Sequence, residues 1–64
     1  MRVEELLNSR FVDDDTKIFI SDFRDFRPFT SGKRYEDSIL GCVEREIMLF
    51  AWHEDNSIDV YVRS

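Results

Sequence analysis

The last third of the chain carries an alternation that few folds can satisfy. From Ile58 to Arg63 the apolar residues fall at every second position, and a β-strand directs alternate side chains to opposite faces of its sheet. The stretch Arg45–His53 is apolar on both faces, and Glu54–Ser57 between the two contains Asp and Asn, which tolerate left-handed backbone. The sequence therefore predicts a C-terminal β-hairpin in which Ile58, Val60 and Val62 face a core.

The N-terminal segment has the periodicity of a short helix. Val3, Leu6, Leu7 and Phe11 fall at i, i+3, i+4 and i+8, which is one face of an α-helix. We expect a helix from about Arg2 to Asn8 or Arg10. A helix this short is unstable alone and must dock on the sheet.

The middle of the chain supplies the remaining elements. Lys17–Ser21 alternates as a strand, a short edge strand is expected around Phe29 after Pro28, and Glu36–Val43 reads as one helical turn. The predicted fold class is α+β in one domain, residues 1–64. An N-terminal helix packs on a three- to four-stranded antiparallel sheet, with one short helical turn before the C-terminal hairpin.

Length and composition limit how such a chain is stabilised. A chain of 64 residues buries only a small core. With one cysteine, Cys42, a disulfide within the chain is excluded, and with one histidine, His53, a structural metal is disfavoured. We expect no cofactor. Packing or self-association remains, and nine aromatic residues exceed what a small core can hide, so a homodimer is a candidate.

Cellular location follows from the same features. A lone cysteine suits a reducing cytosol, and no apolar run approaches the length of a membrane span. We expect a cytoplasmic protein without a membrane partner.

No set of residues indicates catalysis or metal binding. Cys42 and His53 lie near opposite ends of one predicted element, so they do not form a nucleophile and its base. Asp13–Asp15 invites a calcium interpretation, but the position where a calcium loop needs glycine is Ile18, so a solvated turn is favoured. We expect no catalytic residues, no metal site and no enzyme.

Charge is distributed unevenly along the chain. The net charge of −5 divides into −3 for residues 1–22, +3 for residues 23–35 and −5 for residues 36–64. The basic segment interleaves aromatic rings with cations. This combination is found in protein-binding hot spots and on protein surfaces that bind single-stranded nucleic acid. A third interpretation buries the phenylalanines and pairs the arginines with nearby aspartates. The candidate partner-binding residues are Phe23, Arg24, Phe26, Arg27, Phe29, Lys33, Arg34 and Tyr35.

A second candidate interface is the sheet face away from the core. Phe19 and Tyr61 belong to it, together with one row of the first hairpin strand. That row is either Met48, Phe50 and Trp52 or Ile47, Leu49 and Ala51, because a one-residue slip exchanges them. We assign the second interface to Phe19, Phe50, Trp52 and Tyr61. The alternative is that the helical turn and the basic segment fold over this face.

The pattern from Val3–Leu7 through Asp15–Ile20 and Val43–Ile47 to the terminal Ile58–Val62 resembles small phage and mobile-element proteins of Gram-positive bacteria. The resemblance covers most of the chain, and it implies a helix followed by a small antiparallel sheet. It carries no functional residues. It further implies inhibition of host defence, as by anti-CRISPR proteins or DNA mimics.

These observations favour a non-enzymatic, acidic protein-binding module. In the form that the resemblance implies, it is a phage inhibitor of a host defence or nucleic-acid-handling enzyme, and its partner is a host protein. The alternative is a small single-stranded nucleic-acid-binding protein that uses residues 23–35, which the overall negative charge disfavours.

Overall fold

The computed structural model describes residues 1–63, which form one sheet and two short helices. The elements in chain order are α1 (Val3–Leu7), β1 (Lys17–Asp22), β2 (Pro28–Gly32), α2 (Asp37–Leu40), β3 (Ile47–His53) and β4 (Ser57–Val62). The predicted α+β class, the edge strand around Phe29, the helical turn and the C-terminal hairpin are confirmed.

The sheet is mixed, so the prediction of a purely antiparallel sheet is wrong. Its strand order is β2-β1-β4-β3, and β1 runs parallel to β4 while the two outer pairs are antiparallel. The connection through α2 carries the chain from one edge of the sheet to the other. The hairpin then returns β4 beside β1 in the same direction. Alternation within β4 is the same beside a parallel or an antiparallel neighbour, so the pattern could not distinguish the two.

The core lies on one face of the sheet. Ile18 pairs with Ile58 and Ile20 with Val60 across the parallel strands, and all four are fully buried, which confirms the predicted facing of β4. Buried side chains of both helices join the same cluster. Its members are Val3, Leu6, Leu7, Val12, Ile18, Ile20, Ile39, Ile58, Val60 and Val62.

Helix α1 is shorter than predicted. The Glu5 carboxylate accepts the Arg2 N–H at the start (3.0 Å), and the Ser9 hydroxyl donates to the Leu6 carbonyl (2.7 Å) as the helix ends. Phe11, assigned to the buried face from its spacing, therefore lies beyond the helix and is exposed, and Val12 occupies the buried position. Neither α1 nor α2 has the length or the apolar run that crossing a membrane requires.

Strand β2 ends at a position that only glycine fits well. Gly32 has φ +155°, and a Cβ there would lie 2.6 Å from the Ser38 hydroxyl. That hydroxyl donates to the Ser31 carbonyl (2.9 Å) and so fixes the start of α2 against the end of β2. Gly32 thus allows the close approach from which the crossover begins.

Candidate functional site

Four large side chains lie on the sheet face opposite the core. The register places Phe19 beside Asp59 and Leu49 beside Tyr61 on this side, and the Phe26 ring reaches over from the β1–β2 turn. Its centroid lies 5.1 Å from that of Tyr61, edge to face. Both described helices are on the other side. We call Phe19, Phe26, Leu49 and Tyr61 the open face.

Three of the four side chains on the open face are exposed to solvent. Phe19 is 41% exposed, Leu49 47% and Phe26 61%. Exposed apolar side chains grouped on one face of a small domain mark candidate interaction sites. The chain therefore holds a candidate docking surface on the side of the sheet that the helices leave uncovered.

The β1–β2 turn places Phe26 on this face through a left-handed backbone. Phe26 has φ +59°, its N–H donates to the Asp22 carbonyl (2.9 Å), and the Asp22 carboxylate accepts the Arg24 N–H (2.8 Å). Positive φ is uncommon for a bulky residue and costs about 1–3 kcal/mol. The surrounding bonds hold this conformation, and its result is an aromatic ring over Tyr61.

The predicted second interface is divided between the two faces. Phe50 and Trp52 pair with Val60 and Ile58, so they lie on the helix side rather than beside Phe19. Leu49 and Ala51 take the positions beside Tyr61 and Asp59. The hairpin turn, which pairs His53 with Ser57, sets this register, and the bulge between Ile47 and Leu49 returns Ile47 to the core side. The assignment of Phe50 and Trp52 to the second face is therefore wrong, while Phe19 and Tyr61 lie where predicted.

Strand β3 is an edge strand, and from Met48 to His53 every residue is exposed. Phe50 and Trp52 line an apolar cleft of about 240 Å³ with residues of the N-terminal segment. Its lining is Met1, Leu6, Ser9, Phe11, Phe50 and Trp52. The exposed apolar surface of the molecule thus continues from the open face around the β3 edge.

Arg34, a candidate partner-binding residue in the sequence, makes structural contacts within the chain instead. Its guanidinium donates to the carbonyls of Leu7 (3.3 Å) and Val12 (2.9 Å) and lies 2.8 Å from the Asp14 carboxylate. The side chain is mostly buried, at 21% exposed. Arg34 fixes the loop after α1 to the loop after β2, and the Tyr35 ring lies under its guanidinium, 4.8 Å away.

The other predicted residues of the basic segment are dispersed. Phe29 lies under the guanidinium of Arg45, at 4.7 Å, and Phe23 is half-buried. The Lys33 ammonium lies 3.9 Å from the Asp15 carboxylate. The turn arginines lie near aspartates of the same turn, with closest distances of 3.8 Å for Arg24–Asp22 and 3.9 Å for Arg27–Asp25. Of the eight residues, Phe26 alone belongs to the open face.

A second link between two turns was not predicted from the sequence. The Asp13 carboxylate accepts hydrogen bonds from the Asp15 N–H (2.8 Å), the Thr16 hydroxyl (3.0 Å) and the Asn56 amide (3.3 Å). These donors lower the pKa of Asp13, the Asp15 N–H most strongly. Asn56 has φ +61°, the left-handed conformation expected in the hairpin turn. The acidic turn is thereby joined to the β3–β4 turn.

The two residues considered for catalysis, Cys42 and His53, have different surroundings. Cys42 is half-buried against the core, and His53 is exposed on the side of the sheet that carries the open face, with its Nε2 on the Asp59 carboxylate. Within residues 1–63 no cluster of three or more His, Cys, Asp or Glu side chains has the arrangement to hold a metal ion. No family model, curated protein or solved structure matches this chain.

Proposed function

We propose that this chain is a non-enzymatic protein-binding module and that its partner docks on the open face. The observation that carries the proposal is the exposure of Phe19, Phe26 and Leu49 around the half-buried Tyr61, on a sheet whose other face holds the buried apolar core. A left-handed turn that keeps Phe26 over Tyr61 supports it, because a preformed aromatic anchor loses little entropy on binding.

The charges around the open face indicate the partner's chemistry. Lys17 and Lys33 line a shallow cleft beside Phe19 that also holds Glu36. Arg24 and Arg27 belong to the turn that carries Phe26, where their exposed side chains lie 3.8 and 3.9 Å from aspartates of that turn. These cations border the face in a chain whose net charge is −5. Electrostatic complementarity therefore favours a protein with an apolar patch bordered by carboxylates.

The test begins with capture of proteins from a lysate of the source cell, and the decisive step uses one purified captured protein. Titration should show at least about tenfold weaker binding, or roughly 1.4 kcal/mol, for Phe19→Ala with Phe26→Gly. Glycine accepts φ +59° without strain, so this variant removes the ring without opposing the turn. Arg24→Ala with Arg27→Ala should weaken binding by a similar factor.

The matched control removes exposed apolar side chains on the helix side. Tyr35→Ala with Leu40→Ala should bind like the parent, because neither residue borders the open face. Equal affinity for the parent and the Phe19/Phe26 variant contradicts the proposal, as does a larger loss in the control. Circular dichroism melts of each variant establish that it is folded.

A single-stranded nucleic acid is the second candidate partner. The exposed ring of Phe19 with Lys17 and Lys33 beside it matches the stacking platforms and cationic grooves that such ligands use. A salt titration against labelled oligothymidylate separates the two candidates. Binding that weakens steeply with salt supports this candidate over the protein partner.

The narrower proposal, inhibition of a host defence or nucleic-acid-handling enzyme, rests on the resemblance to phage proteins. The identity of the captured protein tests it directly. An assay of that enzyme with and without the chain then shows whether docking inhibits it.

A further inference from the structure

The outer edge of β3 presents backbone groups that the described strands leave unpaired. Phe23 N–H donates to the Val62 carbonyl (3.0 Å), and Arg63 N–H donates to the Glu46 carbonyl (2.9 Å). The backbone N–H and C=O groups of successive residues point alternately to the two neighbouring strands. In β4, those of the even-numbered residues therefore point to β1 and those of the odd-numbered residues point to β3. In the register, the β3 partners of those odd-numbered residues are Leu49, Ala51 and His53. The residues between them, Phe50 and Trp52, therefore direct N–H and C=O outward.

The unpaired stretch has two defined ends. At one end the N-terminal segment covers the edge, because Ile47 N–H donates to the Met1 carbonyl (2.7 Å) and Val3 N–H to the Arg45 carbonyl (3.0 Å). At the other end the chain leaves the sheet after His53. The open edge thus comprises residues 48–53.

The bulge and the N-terminal segment protect this edge only as far as Ile47 and Met48, and the residues after them lack such features. Natural edges carry charges, proline or a covering element. The other edge of this sheet, β2, contains Pro28, whereas residues 48–52 are five apolar residues in a row, all exposed. A strand of this composition is expected to pair with another strand.

We propose that a second copy of this chain occupies the β3 edge, antiparallel, about a twofold axis at Ala51. In this register Phe50 of one copy lies opposite Trp52 of the other, and the outward backbone groups of both are satisfied. Ala51 lies opposite itself, where the small side chain permits close approach. Leu49 of one copy lies opposite His53 of the other. The C-terminal end of β3 in one copy therefore lies beside the point where the N-terminal segment begins to cover β3 in the other.

Two features of the chain favour this occupant and this register. A twofold at Phe50 would place His53 of one copy opposite Ile47, whose outer N–H already binds Met1. With the twofold at Ala51, Glu54 faces Met48 and no two carboxylates lie directly opposite each other. A strand uncharged from residue 47 to residue 52 can pair with its own copy without repulsion between like charges.

The dimer extends the proposed function without depending on it. Pairing along β3 makes one continuous sheet of two copies, with both open faces on the same side, since the twofold is perpendicular to the sheet. Only residues 48–53 of each copy lie in the paired stretch, and Phe50 and Trp52 supply its backbone hydrogen bonds, which places the interface at the small, transient end of its class. The dimer is therefore expected to dissociate on dilution.

Cysteine cross-linking tests the register. In a Cys42→Ser background, Ala51→Cys should form a disulfide-linked dimer under mild oxidation, because Cα atoms in a non-hydrogen-bonded pair lie about 4.5 Å apart, within disulfide reach. The control is Leu49→Cys on the same strand and face. Its equivalent in the other copy lies four residues away, roughly 13 Å, and should not cross-link. Absence of a cross-link in the Ala51→Cys variant, or equal cross-linking of both variants, overturns the proposal.

Sedimentation across a concentration series tests the interface without a new thiol. The parent should shift from monomer to dimer as concentration rises, and Phe50→Lys with Trp52→Lys should stay monomeric. Tyr35→Lys with Leu40→Lys adds the same charge at exposed apolar positions away from β3 and should dimerise like the parent. A parent that remains monomeric at its highest soluble concentration overturns the proposal, and so does a β3 variant that dimerises equally.

Discussion

His53 Nε2 lies 2.7 Å from Asp59 Oδ2, which joins β3 to β4 on the side of the sheet that faces away from the core. This hydrogen bond, with the charges of Asp59 and Asp55, raises the pKa of His53 above its ordinary 6.5. Because the folded pKa is raised, the stabilisation is complete below pH 6.5 and is lost as pH rises through the raised value.

The midpoint of urea unfolding should therefore change with pH, and His53 should account for part of that change. The parent should have a lower midpoint at about pH 9 than at about pH 6, because the imidazolium loses its proton. His53→Gln should remove this part of the difference. The interpretation is wrong if parent and variant show the same change in midpoint.

Acid should release the link between the two turns. The pKa of Asp13 is lowered below 3.8 by the donors on its carboxylate, so its stabilisation is present above pH 3.8 and is lost as pH falls below it. Asp13→Asn should lower the free energy of unfolding at neutral pH. It should also flatten the acid limb of the stability curve, which is the fall in that free energy as the pH decreases. Glu44→Gln, an exposed carboxylate change, is the control. Identical acid limbs in parent and Asp13→Asn would contradict the role of this carboxylate.

Arg34 should respond to substitution as a structural residue. Arg34→Lys keeps the charge but cannot reach two carbonyls and a carboxylate with one ammonium group, so it should cost about 1–3 kcal/mol. Arg27→Lys, in an exposed turn, should change stability by at most about 0.5 kcal/mol. Denaturant melts measure both. A larger loss for Arg27→Lys than for Arg34→Lys would reverse the assignment.

The two glycines should differ sharply. Gly32→Ala places a Cβ 2.6 Å from the Ser38 hydroxyl at φ +155°, and about 1–3 kcal/mol of destabilisation is expected. At Gly41, φ is −67° and the nearest atom to a Cβ is 3.7 Å away. Gly41→Ala should therefore be neutral or stabilise by up to about 1 kcal/mol. Thermal melts that rank the two variants in the opposite order would contradict this account of the crossover.

The sequence predicted those elements whose side chains alternate against one core. Ile58, Val60 and Val62 could be assigned to the buried face because Asp59 and Tyr61 between them are polar at their tips. Strand β3 offered no such contrast, since both of its rows are apolar. Its facing depended on the length of the hairpin turn, which pairs His53 with Ser57, and the bulge that returns Ile47 to the core side leaves no mark in the pattern.

The grouping of residues 23–35 in space followed from the sequence less well than the fold did. Spacing grouped Arg34 and Tyr35 with Phe26 because they share a basic stretch of the chain. In three dimensions Gly32 ends β2 between them, and Arg34 turns to the loop after α1. Only the left-handed turn at Phe26 places a ring of this segment on the open face, and a phenylalanine in that conformation is not expected from its residue type.

Amide hydrogen exchange is the most direct measurement of the β3 edge. Ala51 directs its N–H to β4, so its exchange should be slow at every concentration. The amides of Phe50 and Trp52 point outward, and they should exchange rapidly in dilute protein and become protected together as concentration rises. Rapid exchange of both at the highest soluble concentration would contradict pairing of two copies along β3.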